Sequence, residues 1–401
     1  MNPANPLFAI LVLVVALLTT KLFMVVTKKN PPQVKYETID GMRGYLAFFV
    51  FLHHSCIWYF FGKENTWTEP HSHLFNHFGK TSVTLFFMTT GFLFFSKLIE
   101  SQSKPIDWLR LFVSRILRLY PVYTIAMISL FIITGFLSQW KMAESGNSIL
   151  FETFQWFTFN VIGMPAINNA PMGQVMAGVT WSLIYEWVFY FSLPIIGLLF
   201  FRSRAHIFII LISTALVIEI YRQTPLPFIH FYAFGGGLLA GYLVRSKKFC
   251  ALVSGKLFSV IGLISLWSAI RFFQTAYDIY PLLLIAIFFV IVACGNNLFG
   301  ILSSRISRML GQISYDIYLL HPIVLFISFH FLLGNNFFLH VSVYNYWLVV
   351  SCCAIVLLLA SFTIHYFIEL PAMNASGKVT TFVRKIYYGI RNWIFSLFNW
   401  E

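Results

Sequence analysis

The sequence predicts an all-α integral membrane protein with about eleven transmembrane helices, N-terminus outside and C-terminus inside. Three observations carry this. Of the 401 residues, 59% are hydrophobic and 10% charged, against about 25% charged in a soluble domain. The apolar runs reach the roughly 20 residues that cross a bilayer as a helix. Lysine and arginine crowd into alternate loops, as the positive-inside rule requires.

In chain order, spans are expected over 6–27, 44–62, 82–98, 119–138, 180–201, 205–221, 228–245, 255–272, 279–295, 313–332 and 343–367. With the N-terminus outside, only Lys63, Lys80, Lys141, Arg222 and Arg271 of the 27 basic residues fall in outer loops, and Lys21 falls in the first span. The cytoplasmic side takes the rest, Lys104, Arg202 and Arg204 among them. The first run lacks the basic start and small-residue cleavage site of a signal peptide, so a retained helix is expected. Residues 150–164 are apolar but short, which suits an interfacial or re-entrant segment. The tail, 380–401, mixes basic and aromatic residues and suits an amphipathic helix on the inner leaflet. Three regions follow: an additional N-terminal helix (1–30), a membrane domain (31–372) and a cytoplasmic tail (373–401).

The net charge of +13 is scattered between apolar runs rather than gathered in one patch, which argues against nucleic acid as partner. The five cysteines show no metal-ligand spacing, so neither a metal nor a disulfide framework is expected. There is no P-loop and no nucleophile elbow.

The chemistry begins in "IDGMRGYLAFFVFLHHS", residues 39–55. Ionisable groups inside a membrane are costly and are functional candidates. Arg43 and His54 are eleven residues apart, about three helical turns and ~16 Å of rise. They share a face; His53 is turned away from it. Histidine is the usual general base near neutral pH, and a hydrogen bond between helices is the bland alternative for His54. Further along, "FVSRILRLYP" puts Arg115 and Arg118 on one helix face, and arginine forks suit phosphate. "TWSLIYEWVFYF" carries Trp181, Ser182, Glu186 and Tyr190, with Ser182 and Glu186 at i, i+4. "LGQISYDIYLLHP" carries Ser314, Tyr315 and His321, with Tyr318 nearby; a structural or positioning role is expected for His321. Asp316 finds no account. In "HYFIELP", Glu369 suits a structural role.

These motifs resemble the membrane acyltransferase-3 family. Its signature is an arginine, ten residues, then a histidine, which Arg43 and His54 match and His53 does not. The family's next helix is aromatic-rich and ends in "GF", as does "SVTLFFMTTGF"; here Thr84 replaces the common Asp and Thr90 the usual Ser. The paired arginines, the Trp-Ser-Leu…Glu…Phe-Tyr helix, the late Gly-x-x-Ser-Tyr…His motif and the closing Glu-x-Pro follow in family order up to residue 371.

The resemblance implies an acyltransferase that takes an acyl group, most often acetyl, from cytoplasmic acyl-CoA. The acceptor would be a hydroxyl of an envelope glycan or glycolipid, at the bacterial inner membrane among its lipids. Arg43, Arg115 and Arg118 would hold CoA, and His54 would be the base. Trp181, Ser182, Tyr190, Ser314, Tyr315 and His321 would position substrate. Three roles stay open to Glu186: orienting His54, binding a sugar hydroxyl or taking a proton. The inferred topology places it near the outer surface. Rival readings are an acyltransferase for a small or lipid-linked acceptor, a transporter or flippase, and an assembly scaffold. A transporter of the repeat type would show matched halves, and none are visible.

Overall fold

A computed structural model describes residues 2–101, 105–201, 205, 207–224 and 226–398, with side chains to residue 390. Lys104, Arg202 and Arg204, counted above as cytoplasmic, lie outside the described residues, as do the last three residues of the tail. Among the described residues the regular structure is all helical, with one isolated bridge between Ile167 and Ala170.

The helices are α1 (Pro6–Thr27), α2 (Glu37–Glu64), α3 (His73–Glu100), α4 (Trp108–Leu137), α5 (Gly146–Phe157), α6 (Met172–Val175), α7 (Trp181–Phe201), α8 (Ile207–Gln223) and α9 (Ile229–Leu243). There follow α10 (Lys247–Val253), α11 (Lys256–Phe272), α12 (Ile279–Ala293), α13 (Arg305–Gln312), α14 (Ser314–Phe326), α15 (Gly334–His340), α16 (Val343–Ile364), α17 (Leu370–Asn374) and α18 (Ser376–Phe398). Two π-helical turns, Ile327–Leu333 and His365–Glu369, interrupt the last spans.

Each of the eleven segments expected from the sequence is helical. Among the described residues seven helices are long and apolar enough to cross a membrane, or up to eight if the α10–α11 pair, bent by 76°, is one span. Helices α8, α9 and α12 are shorter, at 17, 15 and 15 residues. The 150–164 segment is split: α5 ends at Phe157, and Phe159 and Asn160 turn left-handed beyond it.

Local chemistry sets the helix starts. Asn5, Ser72, Asp107, Ser304 and Ser342 cap α1, α3, α4, α13 and α16, each side chain accepting a backbone amide of the first turn. Such caps satisfy amides that a bilayer cannot hydrate. Pro121, Pro194 and Pro322 sit inside helices, as membrane helices tolerate when neighbours take up the freed carbonyls.

The core is built around α2. Its span is 72% buried, whereas that of α1 is 22% buried. The outer helices show large apolar side chains outward, among them Leu22, Phe208 and Trp267. That is the surface lipid requires. Helix α1 is docked on α16: Phe8 stacks on Trp347, Phe23 on Phe362, and Trp347 Nε1 donates to the Pro3 carbonyl at 2.9 Å. The tail helix α18 is tied to the start of α4 by Arg384, whose guanidinium meets Asp107 at 2.8 Å.

Glycine decides one crossing that bears on the site. Where α2 meets α13, a Cβ on Gly44 would lie 2.7 Å from the Gly311 backbone nitrogen. A Cβ on Gly311 would fall well inside contact with the Asp40 carbonyl oxygen, and one on Gly41 would do the same at Leu302. Small residues let the two backbones touch. The contact fixes the turn of α2 that carries Asp40 and Arg43.

Candidate active site

Helices α2, α3, α4, α7 and α14 surround a cavity of ≈ 230 Å³. Three arginines open into it: Arg43 from α2, and Arg115 and Arg118 from α4. The i, i+3 spacing turns the α4 pair to one side, and the glycine crossing brings α2 up to it. Three cations facing one half-enclosed space repel each other, so the site favours an anionic occupant. One acid, Glu186, shares the cavity and accepts a hydrogen bond from Tyr190 Oη.

The guanidiniums are only lightly engaged. Arg43 Nη1 lies 3.5 Å from Asp40 Oδ1. Arg115 sits over the Phe94 ring at 5.3 Å, and its buried Nε has no hydrogen-bond partner. Arg118 Nη1 lies 3.9 Å from Glu369 Oε1 and 3.4 Å from Met373 Sδ. Arg115 also hydrogen-bonds the Tyr190 side chain; a guanidinium has five donors in a planar fork, so donors are left over for a ligand. Ser314 Oγ, at the cavity wall, is buried and unpartnered. Tyr315 also lines the wall, its hydroxyl donating to the Leu119 carbonyl at 3.0 Å. Thr90 is a wall residue, which keeps a polar group there. Thr84 instead bonds back to the Lys80 carbonyl at 2.9 Å.

His54 lies beyond the cavity wall rather than on it. It is paired with His321: the two rings meet Nδ1 to Nε2 at 2.9 Å. The proton order follows from the next link. His321 Nδ1 lies 3.0 Å from the Ile317 carbonyl, which can only accept. A neutral His321 therefore carries its proton on Nδ1 and accepts at Nε2. His54 then donates from Nδ1, which also faces the Val50 carbonyl at 3.1 Å. The proton-free nitrogen of a neutral His54 is Nε2. In that arrangement the bond to His321 holds the proton of a neutral His54 on Nδ1.

His53 is turned away, as helical phase predicts. Its Nδ1 donates to the Phe75 carbonyl at 2.8 Å, and its ring packs on Gly79, where any Cβ would intrude.

Tyr318 borders both halves of the site. It lines the cavity, and its ring lies 6.2 Å from that of His321. Its hydroxyl is 2.8 Å from Ser182 Oγ and donates to the Val179 carbonyl at 2.9 Å. Val179 belongs to a strained turn, with Ala177 at φ 45° and Gly178 at φ 67°. The Ala177 backbone is also a hydrogen-bonding neighbour of His54. A non-glycine residue held left-handed costs about 1–2 kcal/mol, and such strain gathers at functional sites.

This turn corrects the expected place of Glu186. The chain before helix α7 runs beside His54, and Glu186 lines one cavity with Arg43, Arg115 and Arg118, whereas the inferred topology set it apart from them, towards the outer surface. Trp181 is separated from the cavity. It packs in a ring cluster with Tyr185, His230 and Tyr277 at centroid distances of 5.6, 4.9 and 6.1 Å.

Behind Arg118 lies a group the sequence did not bring together. Asp316, His365 and Glu369 are buried, with ligand atoms within 4.8 Å of one another. His365 Nδ1 meets Glu369 Oε2 at 2.5 Å and Asp316 Oδ2 at 3.9 Å. Such a set could hold a divalent ion. Arg118 Nη1 stands 3.9 Å from Glu369, and His365 lies between the two acids. The signal was the i, i+4 pair His365 and Glu369 in an apolar run.

A basic cavity in a helical membrane domain, backed by a paired histidine, defines a membrane acyltransferase once the chain is compared with known families. The acyltransferase-3 family model, described as an acyltransferase domain, matches residues 36–366. The chain belongs to this family. No curated protein and no solved structure gives a match.

Proposed function

We propose that the protein moves an acyl group, acetyl before longer chains, from cytoplasmic acyl-CoA to a hydroxyl of an envelope sugar at the bacterial inner membrane. The acceptor belongs to O-antigen, capsule, exopolysaccharide or peptidoglycan. The observation that carries this is the convergence of Arg43, Arg115 and Arg118 on one cavity whose wall residue Tyr318 adjoins the His321–His54 pair.

The arginines take the CoA phosphates, and the pantetheine arm runs past Glu186, Tyr190 and Ser314 towards Ser182 and Tyr318. Trp181 stands outside the cavity and supports its far wall. His54 Nε2 accepts the proton of the acceptor hydroxyl as the oxygen attacks the thioester carbonyl. The C–S bond breaks, and the CoA thiolate takes the proton back from His54. The Ala177 carbonyl helps hold the imidazolium in between. Because Tyr318 separates the cavity from His54, the side chain must shift for the two to meet.

Arg43→Ala and Arg115→Ala are expected to raise KM for acetyl-CoA about ten-fold or more each, at little change in kcat, as for loss of a charge-assisted phosphate contact. Steady-state CoA release by the purified protein measures this. Wild-type protein that releases no CoA with any acceptor would favour a transporter.

The eleven-span, N-out arrangement is part of the proposal, supported by a helix at each expected position. Single cysteines placed at Lys63 and Lys141 should react with an impermeant thiol reagent on intact cells, and one placed at Lys247 should not. Labelling in the reverse pattern would refute the orientation.

A further inference from the structure

We infer that the buried Asp316–His365–Glu369 group is a positioning device for Arg118, acting on donor binding through that arginine. The inference rests on the proposal that the cavity takes acyl-CoA. Glu369 and Asp316 are each 0% exposed and His365 6% exposed. Neither Asp316 oxygen nor Glu369 Oε1 makes a well-formed hydrogen bond among the described residues; the two carboxyl groups lie side by side. A buried carboxylate needs a counter-charge or full hydrogen bonding. The nearest fixed cation is Arg118, 3.9 Å from Glu369.

The architecture supports a device rather than an incidental pair. His365 and Glu369 sit on a π-helical turn, a local widening that is often found at functional sites. The turn swings both side chains towards α4 and α14. His365 bridges the two acids, at 2.5 Å from Glu369 and 3.9 Å from Asp316. Arg118 receives only an ion pair and a sulfur contact from this side. Its remaining donors stay on the cavity side. Arg43 faces Arg118 in the same cavity, and Asp40 also acts on Arg118 through space, so without Glu369 the guanidinium would be pulled towards Asp40 and pushed by Arg43.

The test is a double-mutant cycle on CoA binding by the purified full-length protein, read by titration calorimetry. Glu369→Gln keeps shape and removes charge; it is expected to weaken CoA binding roughly ten-fold, with thermal unfolding checked alongside. His365→Asn should weaken it by less. Arg118→Ala should also weaken it, and Glu369→Gln should add nothing in that background, since residues acting through one another are non-additive. A purely structural Glu369 would add its cost in either background, and that result overturns the inference. So does unchanged or tighter binding by Glu369→Gln, or a stoichiometric metal in the purified protein that this variant loses. Wild-type protein that binds no CoA instead overturns the donor assignment, and this inference with it.

Discussion

His54→Ala is expected to lower acyl transfer by about a thousand-fold or more, within the range that general-base catalysis supplies. His53→Ala should leave most of the activity. The two side chains are neighbours in sequence and both are buried, so burial cannot separate them. Their partners can. His53 spends its Nδ1 proton on the Phe75 carbonyl and packs against Gly79. His54 is hydrogen-bonded to His321, and on the proposed mechanism that bond holds its proton on Nδ1 and leaves Nε2 as the base. His321→Ala should therefore fall between the two, because the base survives but its tautomer is no longer selected. Acetyl incorporation into the acceptor measures all three. An active His54→Ala protein would remove the histidine from the mechanism.

Gly311→Ala is expected to destabilise the protein by about 3 kcal/mol, the upper end of the usual cost of overpacking. The added methyl would strike the Asp40 carbonyl oxygen, which belongs to helix backbone and cannot rotate away. The helices must part, and the turn bearing Arg43 moves with them. Weaker donor binding should accompany the lower unfolding temperature. Gly146→Ala is the control, since nothing lies within 4 Å of its Cβ position. Equal melting temperatures for the two variants in detergent would contradict the close crossing.

Much of the site was legible because it is written along single helices. Ten residues between Arg43 and His54 set their common face, and two between Arg115 and Arg118 set theirs. Depth across the membrane was harder. Glu186 was expected near the outer surface, apart from the arginines, yet it shares their cavity; periodicity sets the face a residue takes, not the level at which its helix stands against its neighbours. Contacts between distant segments were not legible at all. The His54–His321 bond joins residues 267 apart, and Asp316 acquires a role only when the π turn delivers His365 and Glu369 to it. The interruption at Ile327–Leu333 was likewise hidden, because its residues are as apolar as those of an unbroken span.

Tyr318 has a consequence for the bilayer as an electrical barrier. A cavity lined by three cations is a costly thing to cut into an insulating film. Tyr318, tied by its hydroxyl to Ser182 and Val179, stands beside the histidine pair with its ring 6.2 Å from that of His321. On the proposed mechanism this ring has to give way to substrate without opening a continuous polar path for protons across the bilayer.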